Sequence, residues 1–167
     1  MPDFDKYSAL SFDCYGTLID WESGILAAAQ PWIAANAGKI DDDSFMAAFG
    51  RLERQVEGET PDMLYPLILE EVLRRIAAEQ GLEASDEAAK AFGTSVPDWP
   101  AFPDSHDALV ALSKKFKLII LSNVDRQSFS GSNKRLDVTF DTVITSQDVC
   151  IYKPDLRIFE ALMDGLP

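Results

Sequence analysis

The chain has 167 residues, of which 47% are apolar, and this composition predicts a packed core and excludes a disordered chain. A net charge of −13 at pH 7 predicts repulsion from nucleic acid phosphates and from anionic membranes, so neither is expected as a partner. No apolar run reaches the roughly eighteen residues of a membrane-spanning helix, and two cysteines form no disulfide framework, which favours a cytoplasmic protein.

The first predicted strand, residues 7–12, is followed by an acidic residue at its carboxyl end. Ligands of an open parallel sheet bind beyond the carboxyl ends of its strands, so Asp13 is expected to face such a crevice. Gly16 allows a sharp turn away from the strand. Thr17 brings a hydroxyl within reach of the acid, where it can orient the carboxylate.

Residues 19–96 change character and predict a helical insertion. Apolar side chains recur there at helical spacing. Residues 41–44 supply a cap and first-turn acids for a second helix, and Ser85 begins a short fourth helix. Pro31 is expected to bend or restart the first helix, and Pro66 to precede the third.

Beyond the proline-rich linker 97–103, the pattern alternates between helices and strands. Strands are predicted at 117–121 and 140–145, Asp125 is expected to cap the helix between them, and Phe159, Leu162 and Met163 form the apolar face of a last helix that ends at Gly165 and Pro167. The fold class is therefore α/β, a doubly wound parallel sheet with a helical cap inserted after the first strand. The predicted core domain comprises 1–18 and 97–167, and the cap 19–96.

Polar groups follow each of the predicted strands and are expected to meet in one crevice. Asp13 is a candidate nucleophile, as carboxylates are in covalent catalysis. Lys153 would keep this acid ionised by proximity of charge. Ser122 and Asn123 would bind the oxygens or the leaving group of a substrate. Taken singly, Ser122 and Asn123 are also consistent with a helix cap, and Lys153 with a surface lysine.

With these residues in place, the chain resembles the haloacid dehalogenase superfamily over essentially its whole length. Three stretches carry the resemblance to the family's first three motifs, namely residues 13–18 (DCYGTL), 121–123 (LSN) and 152–155 (YKPD). Phosphatases of the superfamily have a second aspartate two residues after the nucleophile, where this chain has Tyr15. A tyrosine there is similar to the (S)-2-haloacid dehalogenases, which need no metal.

The resemblance implies a reaction and a set of roles. Asp13 would displace halide from a 2-haloalkanoic acid, and water would hydrolyse the resulting aspartyl ester to a 2-hydroxy acid. Thr17 and Lys153 would position Asp13, and Ser122 would contact the substrate carboxylate. Asn123 would help to hold the halide, Tyr15 would line the pocket, and no metal or other cofactor would be needed.

The sequence departs from the family in three places. The family continues after the last predicted helix with further strands and a fourth motif that supplies the water-activating group. We therefore expect the C-terminal strands of the core to be absent and the 167-residue chain to be unable to complete turnover alone. The dehalogenases have an arginine in the cap that binds the halide. In this chain Arg51 is the candidate for that role, and Arg54 is the other arginine on the same predicted helix. Phe159 stands where the dehalogenases commonly have a tyrosine, and helix packing is its expected role.

Two other functions stay open from the sequence. One is a phosphatase of the same superfamily, which would require Mg²⁺. The other is a truncated, non-catalytic module that acts through binding. The expected partner of the dehalogenase is a small organic acid, and the sequence leaves a monomer or a homodimer open.

Overall fold

A computed structural model describes residues 6–165 and contains a three-stranded parallel sheet with helices around it. The strands are β1 (Ala9–Phe12), β2 (Lys117–Ser122) and β3 (Thr142–Thr145), in the order β1-β2-β3. The predicted α/β class with a parallel sheet is confirmed. Pro167, one of the two residues predicted to end the last helix, lies outside the described residues.

The central strand β2 is buried from Leu118 to Ser122, because β1 and β3 pair with its two edges. Phe12 is the last paired residue of β1 and lies opposite Ile120. On the other side, Ser122 lies opposite Thr145. This register places Asp13 and Ser122 at the same edge of the sheet, as the sequence predicts.

Four α-helices lie within residues 19–96, where the cap is predicted. They are α1 (Trp21–Ala35), α2 (Asp42–Glu59), α3 (Tyr65–Glu79) and α4 (Asp86–Gly93). Asp41 caps α2 by accepting a hydrogen bond from Ser44 N at 2.8 Å, and Ser85 caps α4. The division of the chain into two domains stays a prediction.

Pro31 does not restart the first helix, contrary to one of the two expectations for it. Helix α1 runs through Pro31 without a break. A proline ring removes the N–H that would bond the carbonyl of Ala27 four residues earlier. Both residues are exposed, so water can satisfy that carbonyl and the helix continues.

The second half of the chain adds α5 (Ser105–Ser113), α6 (Arg126–Leu136), α7 (Ser146–Val149) and α8 (Leu156–Asp164). Asp125 caps α6 by accepting two backbone hydrogen bonds, as predicted. The predicted apolar face of α8 is wrong at two positions, because Phe159 is 40% and Met163 65% exposed. The register of α8 directs Ile158 against the sheet instead, with Leu162 beside it.

Hydrogen bonds tie the helical segment to the sheet at the two chain crossings. Asp20 N donates to the carbonyl of Pro100 at 2.8 Å, and both Phe102 N and Ser105 Oγ donate to the carbonyl of Leu18. A further bond joins the two parts where Tyr152 Oη donates to the carbonyl of Met63 at 2.6 Å. Among residues 6–165, no helix is both long and apolar enough to cross a membrane.

Candidate active site

A cavity of about 350 Å³ lies beyond the carboxyl ends of β1 and β2 and extends to α2. Five residues predicted for the site line it together, so the structure brings most of the predicted constellation into one place. The lining residues are Asp13, Tyr15, Trp21, Glu53, Arg54, Glu57, Tyr65, Trp99, Ser122, Asn123, Val124 and Lys153.

The carboxylate of Asp13 is held by two donors. Lys153 Nζ donates to Asp13 Oδ1 at 2.5 Å and to the carbonyl of Leu121 at 2.9 Å. Thr17 Oγ1 donates to Asp13 Oδ2 at 3.5 Å. The Asp13 side chain is nevertheless 44% exposed, so it stays accessible from the cavity. These contacts place Thr17 and Lys153 beside Asp13, and their positioning roles stay a prediction.

Asn123 is bonded to the main chain of Lys153. Its Oδ1 accepts from Lys153 N at 2.6 Å, and its Nδ2 donates to the Lys153 carbonyl at 3.2 Å. This reciprocal pair fixes the loop that carries the lysine to the end of β2. One hydrogen of the amide remains for a substrate or a halide, because Nδ2 has two.

The hydroxyl of Ser122 is buried at the cavity wall without a hydrogen-bond partner in the described part of the chain. Ser122 is 0% exposed and lines the cavity, and its Oγ makes no hydrogen bond within residues 6–165. A buried hydroxyl without a partner costs about 1–3 kcal/mol. Unpaired buried groups of this kind are rare in folded proteins.

Tyr15 forms a neutral wall of the cavity. Its hydroxyl shares a hydrogen bond of 2.8 Å with Ser132 Oγ, and its ring meets Trp99 edge-on with 5.6 Å between the ring centroids. Burial raises the pKa of the Tyr15 phenol well above its usual range. The phenol therefore stays protonated, which fits the predicted pocket-lining role.

The structure contradicts the assignment of Arg51 to the site. Its guanidinium pairs with Glu79 at 2.6 Å, its side chain is 52% exposed, and it does not line the cavity. Arg54 lines the cavity instead. Successive residues of a helix are rotated by about 100°, so the two arginines point about 60° apart and only one faces the cavity.

Several lining residues were not assigned to the site from the sequence, and two of them are acids. Glu53 and Glu57 are half-buried on α2, one turn apart, and Tyr65 Oη donates to Glu53 Oε1 at 2.5 Å. Their position beside the apolar stripe of α2, next to Leu52 and Val56, was the available signal. The missed residues include Glu53, Glu57, Tyr65, Trp99 and Val124.

Burial governs the protonation of both acids. It raises the pKa of the Glu53 carboxyl, although the hydrogen bond from Tyr65 opposes the change. It also raises the pKa of Glu57 to about 8, with a further contribution from the nearby charge of Glu53. The cations of Lys153 and Arg54 lower the pKa of Glu57 in part. At neutral pH this carboxyl is mostly protonated.

The described residues contain no cluster of side chains suited to bind a metal ion. Within residues 6–165, no group of three or more His, Cys, Asp or Glu side chains is arranged to hold a metal ion. Two residues after Asp13, the phenol of Tyr15 is bonded to Ser132.

Comparison with known proteins gives a family and a set of relatives. A family model described as haloacid dehalogenase-like hydrolase matches residues 7–167. The chain is 26% identical over 171 residues to (S)-2-haloacid dehalogenase 4A of Burkholderia cepacia, with 97% of this chain and 71% of that protein covered. It is 27% identical over 155 residues to an (S)-2-haloacid dehalogenase of Pseudomonas putida, with 89% and 66% covered.

Solved structures show the same fold. The defluorinating L-2-haloacid dehalogenase Rha0230 superimposes with a TM-score of 0.81 at 21% identity, covering 96% of this chain and 70% of that one. The L-2-haloacid dehalogenase from Xanthobacter autotrophicus with chloropropionic acid covalently bound gives 0.77 at 20% identity, covering 96% and 65%. At these sequence identities, the structural similarity shows a shared fold and no more than that.

Proposed function

Because the chain belongs to the haloacid dehalogenase-like hydrolase family, we propose that it removes halide from 2-haloalkanoic acids, with Asp13 as the nucleophile. The observation that carries the proposal is an accessible Asp13 carboxylate, held by Lys153 and facing a cavity that Tyr15 lines. A carboxylate oriented by fixed donors next to an apolar wall is suited to attack on carbon.

The first step is a displacement at C2 of the substrate. An oxygen of Asp13 attacks C2, the carbon–halogen bond breaks, and the electron pair leaves with the halide. Oδ2 is the better candidate for the attacking atom, because its contact with Thr17 is longer than the contact of Oδ1 with Lys153. The product is an ester between Asp13 and an acid whose C2 is inverted.

The second step hydrolyses the ester. Water attacks Cγ of Asp13, the bond between Cγ and the ester oxygen breaks, and that oxygen leaves with the 2-hydroxy acid. One water is consumed, and one halide and one proton are released in all. The carboxylate of Asp13 is thereby regenerated.

Three further residues would bind the substrate in this scheme. The unpartnered hydroxyl of Ser122 would donate to the substrate carboxylate. The remaining amide hydrogen of Asn123 and the guanidinium of Arg54 would stabilise the departing halide. Arg54 takes this role in place of Arg51, because it is the arginine of α2 that lines the cavity.

The test is chloride release from (S)-2-chloropropionate by the 167-residue protein, with Mg²⁺ or with a chelator. We expect at least one equivalent of chloride per chain under both conditions, and a mass increase on the peptide that contains Asp13 if the ester accumulates. Asp13→Asn should lower the rate of release by about a thousand-fold or more, because it removes the nucleophile.

Two results would overturn the proposal. Release of phosphate from a phosphate ester that requires Mg²⁺, without any chloride release, would indicate the phosphatase. Absence of both chloride and a covalent adduct, in a protein that unfolds cooperatively, would indicate a non-catalytic module.

A further inference from the structure

The cavity has two walls of different chemistry. At the strand ends, Lys153, Ser122 and Asn123 offer hydrogen-bond donors to a ligand. The wall formed by α2 carries Glu53 and Glu57, with Arg54 between them. The proposed displacement uses the donors and the arginine but gives no role to the two acids.

These acids are placed where a carboxyl group is costly without a ligand. Both are half-buried, and burying a polar group is unfavourable unless it is hydrogen-bonded. Glu53 accepts one hydrogen bond from Tyr65, whereas Glu57 makes none with any other residue of the described chain. Packing of α2 does not require an acid there, because the helix has its own apolar stripe.

A second observation shows that the cavity is shaped for a ligand. The buried hydroxyl of Ser122 lines the same cavity and makes no hydrogen bond in the described chain. A ligand that satisfies both walls therefore has an acceptor at the strand ends and a donor at α2.

We propose that Glu53 and Glu57 form a subsite for a hydroxyl or ammonium group, carried by the substrate at C3 or beyond. This inference rests on the proposed function, which places C2 of the substrate at Asp13. The preferred substrates are monocarboxylic 2-haloacids with such a donor. Dicarboxylic substrates are disfavoured, because a substrate ammonium favours the ionised form of Glu57, whereas a second carboxylate would add negative charge beside Glu53.

Binding to the Asp13→Asn protein tests the subsite without catalysis. Four 2-hydroxy acids serve as probes in calorimetry at pH 7: lactate, glycerate, 3-amino-2-hydroxypropionate and malate. We expect glycerate and the amino acid to bind about ten-fold more tightly than lactate, which is the effect of one hydrogen bond to a carboxyl group. Malate should bind more weakly than lactate. Equal binding of lactate and the two donors, or tightest binding of malate, would overturn the subsite.

Substitutions assign the effect to the two acids. Glu57→Gln and Glu53→Gln in the Asp13→Asn protein should each lower affinity for 3-amino-2-hydroxypropionate about ten-fold, with lactate unchanged. Glu87→Gln is the matched control, because Glu87 is exposed on α4 and does not line the cavity. An equal loss for lactate and the amino acid would show a general effect on the cavity and overturn the assignment.

Halide release separates this inference from the proposed function. For release of the first equivalent of chloride, the protein with Asp13 intact should have a higher kcat/KM, which is the second-order rate constant up to halide departure, for 2-chloro-3-hydroxypropionate than for 2-chloropropionate. If neither compound releases chloride but the binding order holds, the dehalogenase function fails and the subsite stands. If both release chloride with equal kcat/KM and the probes bind equally, the subsite fails and the function stands.

Discussion

At the scale of single residues, the position of Asp13 depends on groups far away in the sequence. Lys153 reaches it across 140 positions, and Asn123 holds the main chain of that lysine with two hydrogen bonds. The side chain of Asn123 thus links the end of β2 to the loop before α8 by hydrogen bonds. The ion pair between Lys153 and Asp13 is partly exposed, so it contributes little to stability. Its main effect is to fix the position of the Asp13 carboxylate.

Asn123→Leu should therefore reduce both stability and activity. It leaves the N–H and the carbonyl of Lys153 without these partners, which we expect to lower the free energy of unfolding by about 1–3 kcal/mol. The rate of halide release should fall about ten-fold or more, because Lys153 loses its fixed position. Urea denaturation and a chloride assay measure the two effects. Asn36→Ala is the control, since the side chain of Asn36 bonds the carbonyl of Trp32 at the end of α1 and the substitution leaves the backbone bonds of this residue in place. Unchanged stability and activity of the Asn123→Leu protein would contradict the proposed role of Asn123.

At the scale of secondary-structure elements, α1 and the proline-rich linker make a close contact at Gly24, against which Trp99 of the linker packs. A Cβ on Gly24 would lie 2.3 Å from Cγ of Trp99, so no larger residue fits there without a shift. Trp99 is 1% exposed and also lines the cavity. The contact between α1 and the linker consequently sets the shape of the site.

Gly24→Ala is expected to lower the free energy of unfolding by about 1–3 kcal/mol, as overpacking of a core does. It should also change KM, because Trp99 must move. Gly58→Ala on α2 is the matched control, since no atom lies within 4 Å of its Cβ position. That substitution should raise stability by up to about 1 kcal/mol by helix propensity alone. Chemical denaturation of both variants measures these changes, and equal effects would contradict the packing argument.

At the scale of the whole molecule, the excess of acids opposes folding as the pH rises. The net charge is −13 at pH 7, and self-repulsion of such a chain grows as carboxyls ionise. On the cavity wall, Glu57 has a pKa of about 8 in the folded state against an ordinary value of 4.5. The folded state therefore binds more protons than the unfolded state between these two values, and stability is lost as pH rises through this window.

We expect the midpoint of thermal unfolding to fall between pH 5 and pH 8.5. Glu57→Gln should flatten this fall, because the amide carries no charge at any of these pH values. Glu87→Gln should follow the parent protein, since Glu87 is exposed. Groups such as Asp155, whose pKa is lowered to about 2 by Arg157, act below this window. Superimposable curves for Glu57→Gln and the parent protein would contradict the prediction.

The sequence by itself determined the parallel α/β class, the helical segment and most of the site. Local signals suffice for these features, because hydrophobic periodicity marks the elements, and Asp41, Ser85 and Asp125 mark the starts of three helices. Asp13 and Ser122 follow from one rule, since parallel strands present their carboxyl ends at one edge. Lys153 lies beyond α7 and reaches this edge through the hydrogen bonds between its main chain and Asn123.

Only the tertiary structure decided which face of each helix meets the site. Arg51 and Arg54 are equivalent by residue type and spacing, and the rotation of α2, which packs against α1 and α3, selects Arg54. The same rotation brings Glu53 and Glu57 to the cavity, and the register of α8 leaves Phe159 exposed. Helical periodicity gives the relative orientation of side chains within one element, but their absolute direction depends on packing between elements distant in sequence.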